Sequence, residues 1–167
     1  ALSTSNIEAL ESTQVRALSS TQAGALTTEQ VQAIETADLR AMTSTAVAAL
    51  GTSAVVALTT DQAAALTTGQ VAAMTTAQVA AIATDDLESL TTAQVAALLT
   101  QQVQALQTDQ VQALTSDQVA GLSTRQVSAL TTAQVAVVET TDVVALTTRQ
   151  AAALNSAQVA ALTTDQV

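Results

Sequence analysis

This sequence predicts an all-α solenoid, a superhelix of very short helices with one helix to every eight residues. Three observations predict it. From Leu2 onward every eighth residue is Leu, Ile, Met or Val, in unbroken register through Leu162. The phrase that fills the interval, L-T-T-x-Q-V-x-A, opens like a capped helix. The chain also has no Phe, Tyr or Trp and no Pro, so its core is thin layers of Leu, Val and Ala rather than a sphere built around aromatics. Internal repetition outweighs length as a guide to fold. The array is one continuous unit over residues 1–167, without linker or domain boundary. Its start at Ala1 and its stop at Val167 inside an octad give the expectation of a piece of a longer protein or a filament subunit.

Each octad position has its own rule. The first is always a large aliphatic, and the third is Ser or Thr in all twenty-one copies. The fifth is Gln in fifteen copies, the exceptions being Asn6, Asp38, Ala46, Ala54, Asp86 and Asp142. The sixth is Val, Ile, Leu or Ala, and the eighth is Ala except at Ser89, Gly121 and Val137. All charged residues fall at the second, fourth, fifth and seventh positions. The first, third, sixth and eighth columns are therefore structural, while the second, fourth and seventh face water.

A single long helix does not fit this period. Eight residues advance a helix by about 800°, roughly 80° past two full turns, so the apolar stripe would spiral around the cylinder. Coiled coils use periods of seven or eleven for that reason. A helix restarted in each octad does fit. The second-position hydroxyl stands three residues before the Gln, which is capping-box spacing, and the flanking Leu and Val match the hydrophobic staple. The third-position hydroxyl is a second candidate cap, and the sequence leaves the two open. Helices of about five or six residues do not survive alone, so neighbouring coils must stabilise them. In the octad Leu90–Ala97 a helical wheel puts Gln94 among the apolar residues. A buried amide needs partners, expected to be backbone groups freed where one helix ends and the next begins. The small Ala closing each octad lets successive coils approach.

The alternative is a β-solenoid, since Thr and Val favour strands. Strand alternation, however, would set the sixth-position Val beside the variable, often charged second and fourth positions. The four glycines, Gly24, Gly51, Gly69 and Gly121, also follow no period, whereas β-solenoid corners use fixed ones.

Chemistry is sparse. His, Cys and Lys are absent, so general acid–base work reduces to carboxylates, and the many hydroxyls have no base to activate them. The expectation is no enzyme, no catalytic, cofactor-binding or metal site residue, and no cofactor. Asp85, Asp86 and Glu88 form the one tight acidic cluster. It would make at most a weak calcium site, because no D-x-D-x-D-G or GGxGxD loop occurs. The octads with Asp38, Asp86 and Asp142 lie six and then seven repeats apart. They read as drift among duplications or as marks of a lateral contact or cation site on one side of the superhelix. Arg16, Arg40, Arg125 and Arg149 are isolated, and the net charge of −10 speaks against nucleic acid and anionic membranes. No apolar run is long enough for a membrane span. Rows of Thr suggest ice-binding surfaces, but helix capping accounts for the hydroxyls more simply.

Two resemblances attach to these motifs. The opening Leu58-Thr59-Thr60-Asp61-Gln62 is similar to the L-T-P-x-Q-V start of TAL-effector repeats. That resemblance implies a capped helix start and nothing about DNA, since an eight-residue unit has no room for a base-reading loop. Across the full chain the octads resemble L-T-T-x-Q-V-x-A stretches of very large bacterial surface or secreted repeat proteins. That resemblance implies an extracellular or cell-surface structural role, and it brings no functional residues with it. The expected function is a stalk, spacer or self-assembling filament with end-to-end or lateral self-association, the first and last octads resembling interior ones. The rival expectation is an adhesin-like binding module using one solenoid face for a protein or polysaccharide.

Overall fold

The computed structural model of the chain describes residues 3–167, so Leu2, the expected first core position, lies outside them. Among the described residues there are twenty α-helices, from α1 (Thr4–Glu8) to α20 (Ser156–Ala161), and no strand. Every helix starts at the third position of an octad and holds five or six residues. The fold is the helical solenoid, and the β alternative is excluded.

The octad Leu90–Ala97, with α12 (Thr92–Ala96), shows why the chain restarts. Thr91 is extended at φ −68, ψ 154, and its Oγ1 accepts from the Gln94 N–H at 3.2 Å. In return the Thr91 N–H donates to Gln94 Oε1 at 2.7 Å. This is the capping box, and it gives the cap to the second position. The helix closes with a tightened last turn, in which the Leu98 N–H donates to the Val95 carbonyl at 3.1 Å.

The corner that follows needs no left-handed residue. After α13 (Thr100–Ala105), Leu106 sits at φ −57, ψ 135 and Gln107 at φ −73, ψ 162. Two successive extended residues thus turn the chain into its next helix, and no described residue has positive φ. That explains the scatter of the glycines: the corner does not ask for one.

Helices three octads apart pack side by side along the whole array. Thus α12 lies between α9 (Thr68–Ala73) and α15 (Ser116–Gly121). The fifth-position amides reach slightly further, to the end of the helix four octads earlier, as Gln94 does to the Ala63 and Leu66 carbonyls after α8 (Thr60–Ala65). One superhelical turn therefore takes between three and four octads. First- and sixth-position side chains of successive turns merge into one continuous apolar core, including Val31, Leu50, Val79, Leu98 and Val127, while the sixth positions Ala151 and Val159 near the end of the array are exposed. At about 25 cal/mol per Å² of apolar surface, this core supplies the stability that five-residue helices lack on their own.

Candidate functional site

What repeats with functional precision in this molecule is an amide. All fifteen fifth-position Gln side chains accept, at Oε1, the backbone N–H of their own second-position residue, at 2.6–3.0 Å. Twelve of them, from Gln62 onward, also use Nε2 to bridge to the turn beneath among the described residues. They donate at 2.8–3.1 Å to a sixth-position carbonyl 31 residues earlier, and at 2.5–2.9 Å to a first-position carbonyl 28 residues earlier. The amide's oxygen and both its N–H groups are thereby employed. The second-position N–H and the first-position carbonyl it meets are groups that helix ends leave unpaired, while the sixth-position carbonyl is shared with a backbone N–H, as Ala63 is with that of Leu66. Each Gln joins the start of one helix to the end of another, with its side chain almost fully buried, 2% exposed at Gln94.

The amide also covers irregular octads. Leu99 stands at a cap position with no side-chain acceptor, yet its N–H is held by Gln102 Oε1 at 2.6 Å. The sequence reading anticipated that the buried Gln needs freed backbone groups. It did not reveal that two of the three belong to the turn below, as at Gln94, because nothing in an octad states how many octads make a turn.

The invariant third-position hydroxyl is the first residue of each helix and not its cap. At four octads it links turns: Ser12 Oγ donates to Asp38 Oδ1, Ser20 Oγ to the Thr45 carbonyl at 3.4 Å, Ser116 Oγ to Asp142 Oδ1 at 2.5 Å, and Thr140 Oγ1 to the Asp165 carbonyl at 3.2 Å.

Asp38, Asp86 and Asp142 occupy the Gln slot and point inward, with side chains 7%, 4% and 3% exposed. Their burial speaks against the alternative that they mark a lateral contact, because a contact needs a surface. Asp85 and Glu88 face solvent while Asp86 does not, so the acidic cluster divides across the helix. Among the described residues no group of three or more His, Cys, Asp or Glu is arranged to hold a metal. Burial, and after it the neighbouring charge of Asp85, push the Asp86 carboxyl above its ordinary value. Glu29, at the start of α4 (Thr28–Gln32), is shifted the other way, lowered by backbone and Thr hydrogen bonds at the helix start. Arg16, Arg40, Arg125 and Arg149 are all exposed.

Two open grooves share Gln112, Glu139 and Thr141 in their walls. One, of about 570 Å³, adds Thr140, Thr163 and Asp165; the other, of about 390 Å³, adds Glu88, Ser116 and Asp142. Their walls mix hydroxyls, amides and carboxylates with aliphatic side chains, Val137 and Val138 in the first and Leu114 in the second. No described helix is long and apolar enough to cross a membrane.

A family model described as the ALTTAQ repeat matches the chain four times, at residues 1–34, 31–68, 79–116 and 135–167. No curated protein and no solved structure shows significant similarity to it.

Proposed function

We propose that this chain, which belongs to the ALTTAQ repeat family, is a structural repeat protein: a stalk, spacer or self-assembling filament that carries no catalysis. The observation that supports this reading is the even spread of its bonding. The twelve inter-turn amides run from Gln62 to Gln166, and each repeats the geometry of the last. From Gln62 onward the work of these polar residues is to join one turn to the next. Stability in such an array is a sum of repeat and neighbour terms spread along its length, as a load-transmitting rod requires. In that role the chain acts outside the cell, at its surface or secreted, which is the setting that the octad resemblance implies. Its partner is a further copy of itself, met end to end or laterally.

Negative-stain microscopy with sedimentation of the purified chain tests this. Rods of uniform width, or fibres whose length grows with concentration, are expected. Compact particles that neither elongate nor associate would overturn the reading.

A second reading is favoured by the paired grooves at Glu139. Walls of Thr140, Thr141, Thr163, Gln112 and carboxylates suit the hydroxyls of a polysaccharide, and the chain would then be a binding module. Glycan-array binding lost on Glu139→Ala, with helicity intact, would favour it.

A further inference from the structure

Three octads put a carboxyl where the ladder has an amide, and they are not alike. Asp38 and Asp142 each receive a hydrogen bond from a serine of the turn below, Ser12 and Ser116. At Asp86 the residue 26 positions earlier is Thr60, and its hydroxyl makes no such bond. No donor among the described residues reaches the Asp86 side chain, although it is only 4% exposed.

Its slot in the ladder lies over an acceptor. Counted along the ladder, position 86 stands over the Val55 and Leu58 carbonyls at the end of α7 (Thr52–Val56), as Gln94 stands over those of Ala63 and Leu66. The Leu58 carbonyl accepts no hydrogen bond among the described residues. Asp86, Val55 and Leu58 line one small cavity of about 10 Å³, which is room for about one water molecule. An ionised carboxylate there would set lone pairs against lone pairs beside apolar walls, with only a narrow solvent contact at its oxygens to offset the desolvation cost.

Either a proton or a cation would relieve this, and the walls decide between them. The other lining residues are Ala63, Leu66, Val71, Met74, Ile82 and Leu90, whereas a hard cation takes about six to eight oxygen ligands. The surrounding charge also favours a proton. Asp86 lies on α11 (Thr84–Ser89) with Asp85 and Glu88. The helices packed against α11 are α8, which carries Asp61, and α14 (Thr108–Gln112), which carries Asp109. None of the three carries a base.

We propose that Asp86 keeps its proton inside the fold and serves the ladder as a hydrogen-bond donor toward the Leu58 carbonyl, directly or through one water, so that the joint between α7 and α11 is a pH-sensitive seam. The folded state holds this proton more tightly than the unfolded chain does. The seam is therefore tightest at pH below the ordinary carboxylate range, about 4. It loosens as pH rises from there through the raised value of Asp86, and changes no further above it. Within that window the constant for opening the seam grows by up to about tenfold per pH unit, the limit for one proton.

The test uses the intact chain. Carboxyl carbon NMR should show Asp86 keeping its proton above the ordinary carboxylate range, about 4. Asp86→Gln, which restores the residue that most octads carry, should abolish the extra pH dependence of amide exchange in α7 and α11, once intrinsic exchange is corrected for. Asp85→Asn should retain it. Titration of Asp86 together with the exposed aspartates would overturn the proposal, and so would identical pH profiles for wild type and Asp86→Gln. A profile flattened by millimolar calcium at fixed pH would overturn it in favour of a cation.

Discussion

The seam between the first and second turns of this solenoid is built differently from the seams above it. From Gln62 to Gln166 the turns are joined by amides, interrupted only at Asp86 and Asp142. At the first seam three successive slots hold Asp38, Ala46 and Ala54. The carbonyls of Leu10, Leu18 and Leu26, which Gln side chains there would have met, accept no hydrogen bond among the described residues. At these three slots two serine contacts stand instead among the described residues, Ser12 to Asp38 and Ser20 to the Thr45 carbonyl. Packing takes over from bonding. Helix α3 (Ser20–Gly24) lies so close to α6 (Ser44–Ala49) that a Cβ on Gly24 would stand 2.9 Å from the Ala49 carbonyl. The contrast teaches that apolar packing suffices to stack one turn on another. The amides add register, because each Nε2 must find two particular carbonyls.

The largest expected effect comes from breaking the ladder where it is complete. Gln94→Leu is of similar size but strands the Thr91 N–H and the Leu66 carbonyl, while the Ala63 carbonyl keeps only the Leu66 N–H. At about 1–3 kcal/mol for each buried group left unpaired, a loss of about 3 kcal/mol is expected in urea melts followed by circular dichroism. Gln14→Leu is the matched control. The Gln14 amide bonds only to its own cap, the Glu11 N–H at 2.8 Å, so its removal should cost about 1 kcal/mol. Equal losses at the two sites would mean that the inter-turn half of the ladder contributes nothing.

Mending the first seam should have a smaller effect, in the opposite direction. Ala54→Gln puts an amide over the Ala23 and Leu26 carbonyls, 31 and 28 residues earlier. A gain of about 1 kcal/mol is expected, with slower amide exchange confined to the first two turns. If the chain were destabilised instead, the close packing around α3 and α6 would be incompatible with an amide, and the two kinds of seam would be true alternatives rather than one seam with parts missing.

Much of this was legible in the octad. The strict period, the exclusion of charge from four columns and the capping-box spacing were enough to give helices of five or six residues, and Gln94 was recognisable as a buried amide from its place on the wheel. Three things were not legible, each for a physical reason. The number of octads per turn follows from the angle between successive helices, set by two extended residues such as Leu106 and Gln107 that any sequence can adopt. The partners of Gln94 lie about thirty residues away, beyond any local pattern. The inward direction of Asp38, Asp86 and Asp142 was hidden by their charge, which by itself argues for a surface. The column they occupy is the Gln column, and that was the signal that outweighed it.

The smallest expected effect separates the two hydroxyls of the octad. Thr91 is the cap, with its Oγ1 accepting from Gln94 N–H at 3.2 Å, while Thr92 is the first helical residue. Thr91→Val should cost about 0.5–1 kcal/mol and Thr92→Val less. The loss at Thr91 stays small because Gln94 Oε1 still holds the Thr91 N–H, just as Gln102 holds that of Leu99 where no hydroxyl exists. That redundancy ties the caps to the ladder and can be measured. In a Gln94→Leu background the helix start loses its second support, so Thr91→Val should then cost more than it does alone, a coupling visible in a double-mutant cycle. Strict additivity would mean that cap and ladder are independent devices. A larger loss at Thr92 than at Thr91 would return the cap to the third position.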